Sequence, residues 1–344
     1  MGQKRDYKYE LIRIIAIIFV IGTHSLSLVP TTGSTARELT YRIISTLIFT
    51  AVPLFFFMSG KFALQKPISD DNQYFPYYLK KTVSIIFPTI VYMIIYSAYL
   101  QHETTGSLNE LKSRIIPDIL GNHSGLHFWY IYVLIGNLFI APFMAKVFTD
   151  ISKKGALIFM GIGLLHNTLL AYSPYLFNSS YNWVYPFAMW SIYFYIGICV
   201  EKFITGEKEK KIFILIGLIS FIIIILKKTF FSYQAYIHDS MPSFTLFSMA
   251  VYITLKSMDI QFSEKAQKVI IFLGKQTFSI FLIHFLCLWL FVKFFPNTGL
   301  QADLYWIICI ISVFIISFVL SYILDLILFK PIQKLSNKLI SKKE

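Results

Sequence analysis

The chain has 344 residues, of which 56% are hydrophobic and only 14% charged, with a mean hydropathy of +0.64. A soluble domain carries about 25% charged residues, so this composition excludes an ordinary water-soluble enzyme, and it is far too apolar for an intrinsically disordered chain. The net charge of +13 would suit nucleic acid in a soluble protein; here the cations sit between apolar runs, where membrane topology accounts for them and no nucleic-acid partner is expected.

Ten predominantly apolar stretches approach the roughly 20 residues that a spanning helix needs. In chain order they are Leu11–Val29, Ile43–Leu64, Thr82–Leu100, Phe128–Val147, Gly155–Tyr172, Val184–Phe203, Ile212–Leu226, Met241–Leu255, Val269–Phe291 and Leu304–Phe329. The seventh and eighth are the weakest, being short or interrupted by polar residues. The expected fold is therefore all-α: one polytopic membrane domain over residues 1–344, with about ten transmembrane helices over 11–329 and a short basic tail over 330–344. The first stretch is too long for a cleaved signal peptide, and Arg13 and His24 lie within it.

Loop charge orients the spans. With the N-terminus inside, 24 of the 31 Lys and Arg residues fall on the cytoplasmic side, from Lys4 and Arg5 to Lys342 and Lys343, and 7 fall outside. The positive-inside rule expects this asymmetry, so both termini are expected in the cytoplasm. The largest outer loop, Gln101–His127, carries His102 and His123, read as solvated residues. Cys199, Cys287 and Cys309 lie inside apolar stretches at no metal-pair spacing. They read as small buried residues, and neither a disulfide framework nor a zinc site is expected. No Walker loop, nucleophile elbow, zinc signature or dinucleotide fingerprint occurs.

Ionisable groups within spans are costly and mark functional sites by default. Arg13 and His24 are eleven positions apart, close to three full turns, so they share a helix face with a rise of about 16 Å. Two readings stay open. Arg13 snorkels to the headgroups and His24 bonds a neighbouring helix; or one face carries a cytoplasmic cation and an imidazole further out, fit for acid–base work. His166 and His284 lie at similar depth. Three imidazoles at one level would line a polar cavity; the other reading, favoured for His166, is separate interhelical hydrogen bonds.

Phe55–Phe56–Phe57–Met58–Ser59–Gly60 ends the second span. Ser59–Gly60 permits close helix approach, and Lys61 is either a headgroup anchor or a contact for an anionic ligand. His127–Phe128–Trp129–Tyr130 opens the fourth span, either as an interfacial aromatic belt or as a platform for a sugar ring.

Four of these stretches, in this order and at these spans, resemble the acyltransferase 3 family of polytopic membrane acyltransferases. They are Arg13 with His24; Val52 to Gly60, similar to the family's Phe-Phe-x-x-Ser-Gly segment; His127 to Tyr130, continuing to Pro142; and Leu273–Gly274 with Ser279 to His284. The chain departs from the family where an Arg-x-x-Arg pair often precedes the third span: Lys80, Lys81 and Ser84 stand there, and lysine lacks the bidentate fork for phosphate. The resemblance implies transfer of an acyl group, usually acetyl, from cytoplasmic acetyl-CoA or another acyl-CoA. The implied acceptor is a hydroxyl of a surface polysaccharide or its lipid-linked precursor. It implies His24 as general base, donor contacts from Arg13, Lys61 and Lys81, and acceptor positioning by His284, Trp129 and His127. Composition suggests a bacterial plasma membrane, with lipid as the surrounding partner. The alternative function is export of a glycan or lipid-linked sugar.

Overall fold

The computed structural model describes residues 6–29, 34–121, 125–179, 185–187, 189–230 and 241–341. Lys4, Arg5, His123, Val184, Lys342 and Lys343 lie outside them. The described residues form helices joined by short connections, with no strand among them. The helices are α1 (Tyr7–His24), α2 (Thr35–Ile48), α3 (Ala51–Leu64), α4 (Tyr74–Lys81), α5 (Phe87–Thr105), α6 (Leu111–Leu120) and α7 (Trp129–Asp150). They continue with α8 (Lys153–Phe177), α9 (Ser191–Phe203), α10 (Glu207–Phe230), α11 (Pro242–Ser257), α12 (Glu264–Phe294), α13 (Ala302–Leu324) and α14 (Lys330–Ser341). Each of the ten apolar stretches contains a helix, the sixth over Ser191–Phe203.

Among the described residues, seven helical segments are long and apolar enough to cross a membrane. They are Thr35–Leu64, Asp71–Thr105, Trp129–Asp150, Lys153–Pro174, Glu207–Phe230, Glu264–Phe294 and Ala302–Ser341. The protein is thus a multi-pass membrane protein. The other three helices that match apolar stretches are α1, α9 and α11. Lys8, Glu10 and Arg13 interrupt α1, while α9 and α11 have 13 and 16 residues. Nine consecutive residues of α9, Ile192–Val200, are buried, so protein encloses this helix. By contrast α10 exposes Leu215, Leu218, Ile219, Ile222 and Leu226, a lipid-facing surface of the kind only a membrane tolerates. The seventh stretch, weak in the sequence, is part of a 24-residue helix. Glu207 and Glu209 extend its first turn, and Lys227 and Lys228 its last, each charge matched to the helix dipole.

Prolines explain the interruptions. The second stretch is two helices, because Pro53 in the first turn of α3 has no N–H to give to the carbonyl four residues back. The chain turns at Phe49 and Thr50, and the Thr50 hydroxyl donates to the Leu47 carbonyl at 2.7 Å. Between α4 and α5 the helix widens into a π-helical turn, Thr82–Ile86, ahead of Pro88. A second π-helical turn, Asp325–Phe329, joins α13 to α14.

The chain divides into two compact units. The first comprises Met1–Thr23, Pro30–Pro67 and Ile140–Gly274. In it α3 and α9 pack backbone to backbone: a Cβ on Gly60 would overlap the Phe194 carbonyl and one on Gly197 the Phe57 carbonyl. The backbones touch because both positions lack side chains. Lys202 donates to the carbonyls of Phe148, Thr149 and Ile151 at 3.1, 2.6 and 3.0 Å, satisfying acceptors at the end of α7.

The second unit comprises His24–Val29, Ile68–Phe139 and Lys275–Glu344. Here α5 packs on α6, and α14 on α4. The indole of Trp306 donates to the Ser25 hydroxyl at 3.0 Å, fixing the chain just after His24.

Candidate active site

In the second unit three histidines meet. His24 is the last residue of α1, His127 lies in the 3-10 turn Leu126–Phe128 before α7, and His284 is in mid-α12. Their ring centres are 5.2 Å apart for His24 and His284, 5.2 Å for His127 and His284, and 6.4 Å for His24 and His127. Phe285 stands edge-on to His24 at 4.9 Å and stacks on His127 at 5.4 Å. Phe128, at 4.2 Å, and Tyr96, at 5.2 Å, also pack on His127.

Main-chain groups orient the rings. His284 Nδ1 is 2.6 Å from the Phe281 carbonyl oxygen, and His127 Nε2 is 3.4 Å from that of Leu282. A carbonyl only accepts, so in a neutral ring these nitrogens carry the proton and the opposite nitrogens present lone pairs. Those are Nε2 of His284 and Nδ1 of His127. Both are buried, and neither has a hydrogen-bond partner among the described residues. The Leu282 carbonyl and the Leu286 N–H would be partners in a regular helix ladder. The first faces His127, and the second donates to the Tyr96 hydroxyl at 2.7 Å, so α5 and the turn before α7 are pinned to one turn of α12. His284 and His127 are 0% and 2% exposed, whereas His24 is only partly buried. Of the three imidazoles, His24 is the most exposed. Among the described residues no group of three or more His, Cys, Asp or Glu side chains is placed to hold a metal ion.

The structure thus joins His24 and His284 to His127. His166 is placed in the first unit, with its ring 6.2 Å from Tyr185. Trp129 meets Tyr130 edge-on at 6.4 Å, and Tyr130 packs on Phe281 at 5.1 Å, so the aromatic run at the head of α7 is continuous with the histidine-bearing turn of α12.

The predicted cations are divided between the units. In the first, Arg13 pairs with Glu10 at 3.1 Å and sits 5.3 Å over the Phe62 ring. Lys61 Nζ lies 3.3 Å from the Tyr9 ring centre and 4.3 Å from that of Phe62. Glu201 of α9 gathers this region: it accepts from Tyr9 at 3.0 Å, from Tyr252 at 2.8 Å and from Lys256 at 2.8 Å. Gly274 lets Glu10 approach α12, since a Cβ there would collide with the Glu10 side chain. Ser59 precedes Gly60 on α3, beside the contact with α9. In the second unit Lys81 Nζ lies 5.4 Å over Tyr77.

Residues 6–325 match the family model of the acyltransferase 3 group, described as an acyltransferase domain. The chain belongs to the acyltransferase 3 family. No curated protein and no solved structure matches it. As a family member it is a multi-pass membrane acyltransferase, and the matched region contains the histidine cluster, Glu10, Arg13, Lys61, Lys81 and Glu201. Glu10, Glu201 and Tyr96 escape a reading of the sequence. Glu10 carried a signal, since an acid three residues before Arg13 on a helix pairs with it. Glu201, an acid near the end of an apolar stretch, carried another. Nothing in the sequence distinguished Tyr96 from the other tyrosines.

Proposed function

We propose that this acyltransferase moves an acetyl group from cytoplasmic acetyl-CoA to a hydroxyl of an extracytoplasmic surface polysaccharide or its lipid-linked precursor, in a bacterial plasma membrane. The observation that carries the reading is the packing of three imidazoles around the end of α1, with His24 the accessible one. His24 acts as general base. It takes the proton of the acceptor hydroxyl as that oxygen attacks the thioester carbonyl. The C–S bond breaks, and the departing thiolate takes the proton from the imidazolium, so the ring returns to its neutral form.

The two buried lone pairs, His284 Nε2 and His127 Nδ1, support a polyol acceptor. Each accepts a hydrogen bond from a hydroxyl, and neighbouring sugar hydroxyls supply two such donors at once. Trp129 offers the aromatic face for the sugar ring. The donor is a polyanion, and Lys81, in the same unit as the three histidines, attracts its phosphates at the cytoplasmic side. Lysine binds phosphate as a point charge, which fits a chain with Lys80 and Lys81 where relatives often carry two arginines.

The test is chemical analysis of surface polysaccharide from a deletion strain rescued with wild type or with His24→Ala. Proton NMR and mass spectrometry before and after mild alkali detect ester-linked acyl groups. Wild type is expected to restore an alkali-labile acetyl group, and His24→Ala to abolish it at equal membrane levels. Identical acylation in all strains would sink the reading. Loss of the glycan itself from the surface of deletion cells, cured by His24→Ala, would favour export.

A further inference from the structure

A second polar cluster lies on the same helix as His284 and in the same unit. Asp325 opens the π-helical turn between α13 and α14. Its carboxylate accepts from the Ser279 hydroxyl at 3.0 Å and from the Gln276 side chain. Tyr92 lies within electrostatic reach of Asp325, and its ring packs 5.8 Å from Phe329, the last residue of that turn. Two polar atoms here have no hydrogen-bond partner among the described residues: the Tyr92 hydroxyl, on a fully buried side chain, and Oε1 of Gln276, which is 3% exposed. A buried polar atom without a partner costs about 1–3 kcal/mol, and π-helical turns concentrate at functional sites.

The chemistry of these atoms specifies what they bind. The Gln276 carbonyl oxygen only accepts, the Asp325 carboxylate only accepts, and a phenol both donates and accepts. The complement is a neutral chain carrying amide N–H, amide carbonyl and hydroxyl groups. Position narrows it further. Gln276 precedes His284 by eight residues on α12, an axial rise of about 12 Å. Tyr92 follows Lys81 by eleven residues on the path from α4 into α5. The cluster therefore stands between the cytoplasmic lysines and the imidazoles, at the depth a chain must cross to bring its far end to His24.

We propose that Tyr92 and Gln276, with Gln276 held in place by Asp325, form the subsite for the pantetheine arm of the acyl donor. The arm is a thin chain with two amides and a hydroxyl. Tyr92 and Gln276 take its amide and hydroxyl groups as it enters from the cytoplasmic side, and Ser279 and Asp325 are positioning residues that act through Gln276. This rests on acyl-CoA being the donor.

The test separates the arm from the nucleotide. Purified full-length protein in lipid nanodiscs is titrated calorimetrically with CoA and with 3′-phospho-ADP, which has the nucleotide but no arm. Wild type is expected to bind both. Tyr92→Phe and Gln276→Met are each expected to weaken CoA about tenfold, the loss of one hydrogen bond to a buried partner, and to leave 3′-phospho-ADP unchanged. Retained nucleotide binding also shows that the variants are folded. CoA affinity unchanged in both variants, or CoA and 3′-phospho-ADP weakened equally, would overturn the arm subsite while leaving the donor reading intact. Wild type binding neither compound would overturn the donor reading and this inference with it.

Discussion

His284 and His127 each use one ring nitrogen to hold a main-chain carbonyl and leave the other for a ligand. That division of labour gives a prediction distinct from the one for His24. His284→Phe keeps an aromatic ring of similar size and removes the lone pair. It is expected to raise KM for the acceptor about tenfold, the cost of one hydrogen bond to a buried group, while KM for the donor is unchanged. Initial rates with each substrate varied in turn decide it; a fall in kcat of the size seen for His24→Ala, with acceptor KM unchanged, would move His284 from positioning to proton transfer. At Glu201, removing the charge takes a carboxylate from two phenols and an ammonium at once. Glu201→Gln is expected to destabilise the protein by about 1.5–3 kcal/mol, the range for hydrogen bonds to a charged group, read as a lower thermal midpoint in detergent. His24 and Arg13 were legible in the sequence because both stand on one helix and local spacing relates them. Tyr96, Tyr92 and the contact of His127 with α12 were not, because their partners lie far away in the chain and no periodicity connects a turn before α7 to a carbonyl in α12.

Between elements, the telling contact is α3 against α9. In lipid the hydrophobic effect does not drive two helices together, so close backbone packing and polar contacts do that work. Gly60 and Gly197 each sit on a carbonyl of the other helix. Gly60→Ala and Gly197→Ala are each expected to cost about 1–3 kcal/mol through overpacking. The double variant is expected to cost less than the sum, because one small separation of α3 from α9 admits both methyl groups. Thermal midpoints of the four proteins check this, and strict additivity would show that the two glycines are accommodated independently. The Ser59–Gly60 pair was readable as a close-approach signal, whereas its partner was not, since Gly197 lies in a run of apolar residues that reads only as another span. Helix positions were likewise legible from apolar length. The break at Phe49–Thr50 and the two π-helical turns were not, because they depend on how Pro53, Pro88 and the turn at Asp325 are accommodated by neighbours.

At the scale of the whole molecule, topology decides whether donor and acceptor can approach from opposite sides. Seven helical segments satisfy length and apolarity, and the ten-span reading adds α1, α9 and α11. With the N-terminus inside, an even number of crossings among these three would put the C-terminal tail outside. The protein is well suited to a cysteine test, because Cys199, Cys287 and Cys309 are all buried and free, giving a low background. Asn109→Cys between α5 and α6, Thr205→Cys between α9 and α10, Ser263→Cys between α11 and α12, and Ser341→Cys at the end of α14 are all exposed reporters. On the ten-span reading a membrane-impermeant maleimide labels Asn109→Cys in intact cells and the other three only after permeabilisation. The logic runs helix by helix: α7, α8 and α9 separate the first reporter from the second, α10 and α11 the second from the third, α12 and α13 the third from the fourth. Labelling of Thr205→Cys from outside would mean that α9 does not cross. Labelling of Ser263→Cys with Thr205→Cys protected would mean the same for α11. Either result places a basic segment on the outer face against the charge asymmetry of the loops, and the positively charged tail after α13 would lie outside with it, because an even number of crossings separates the two.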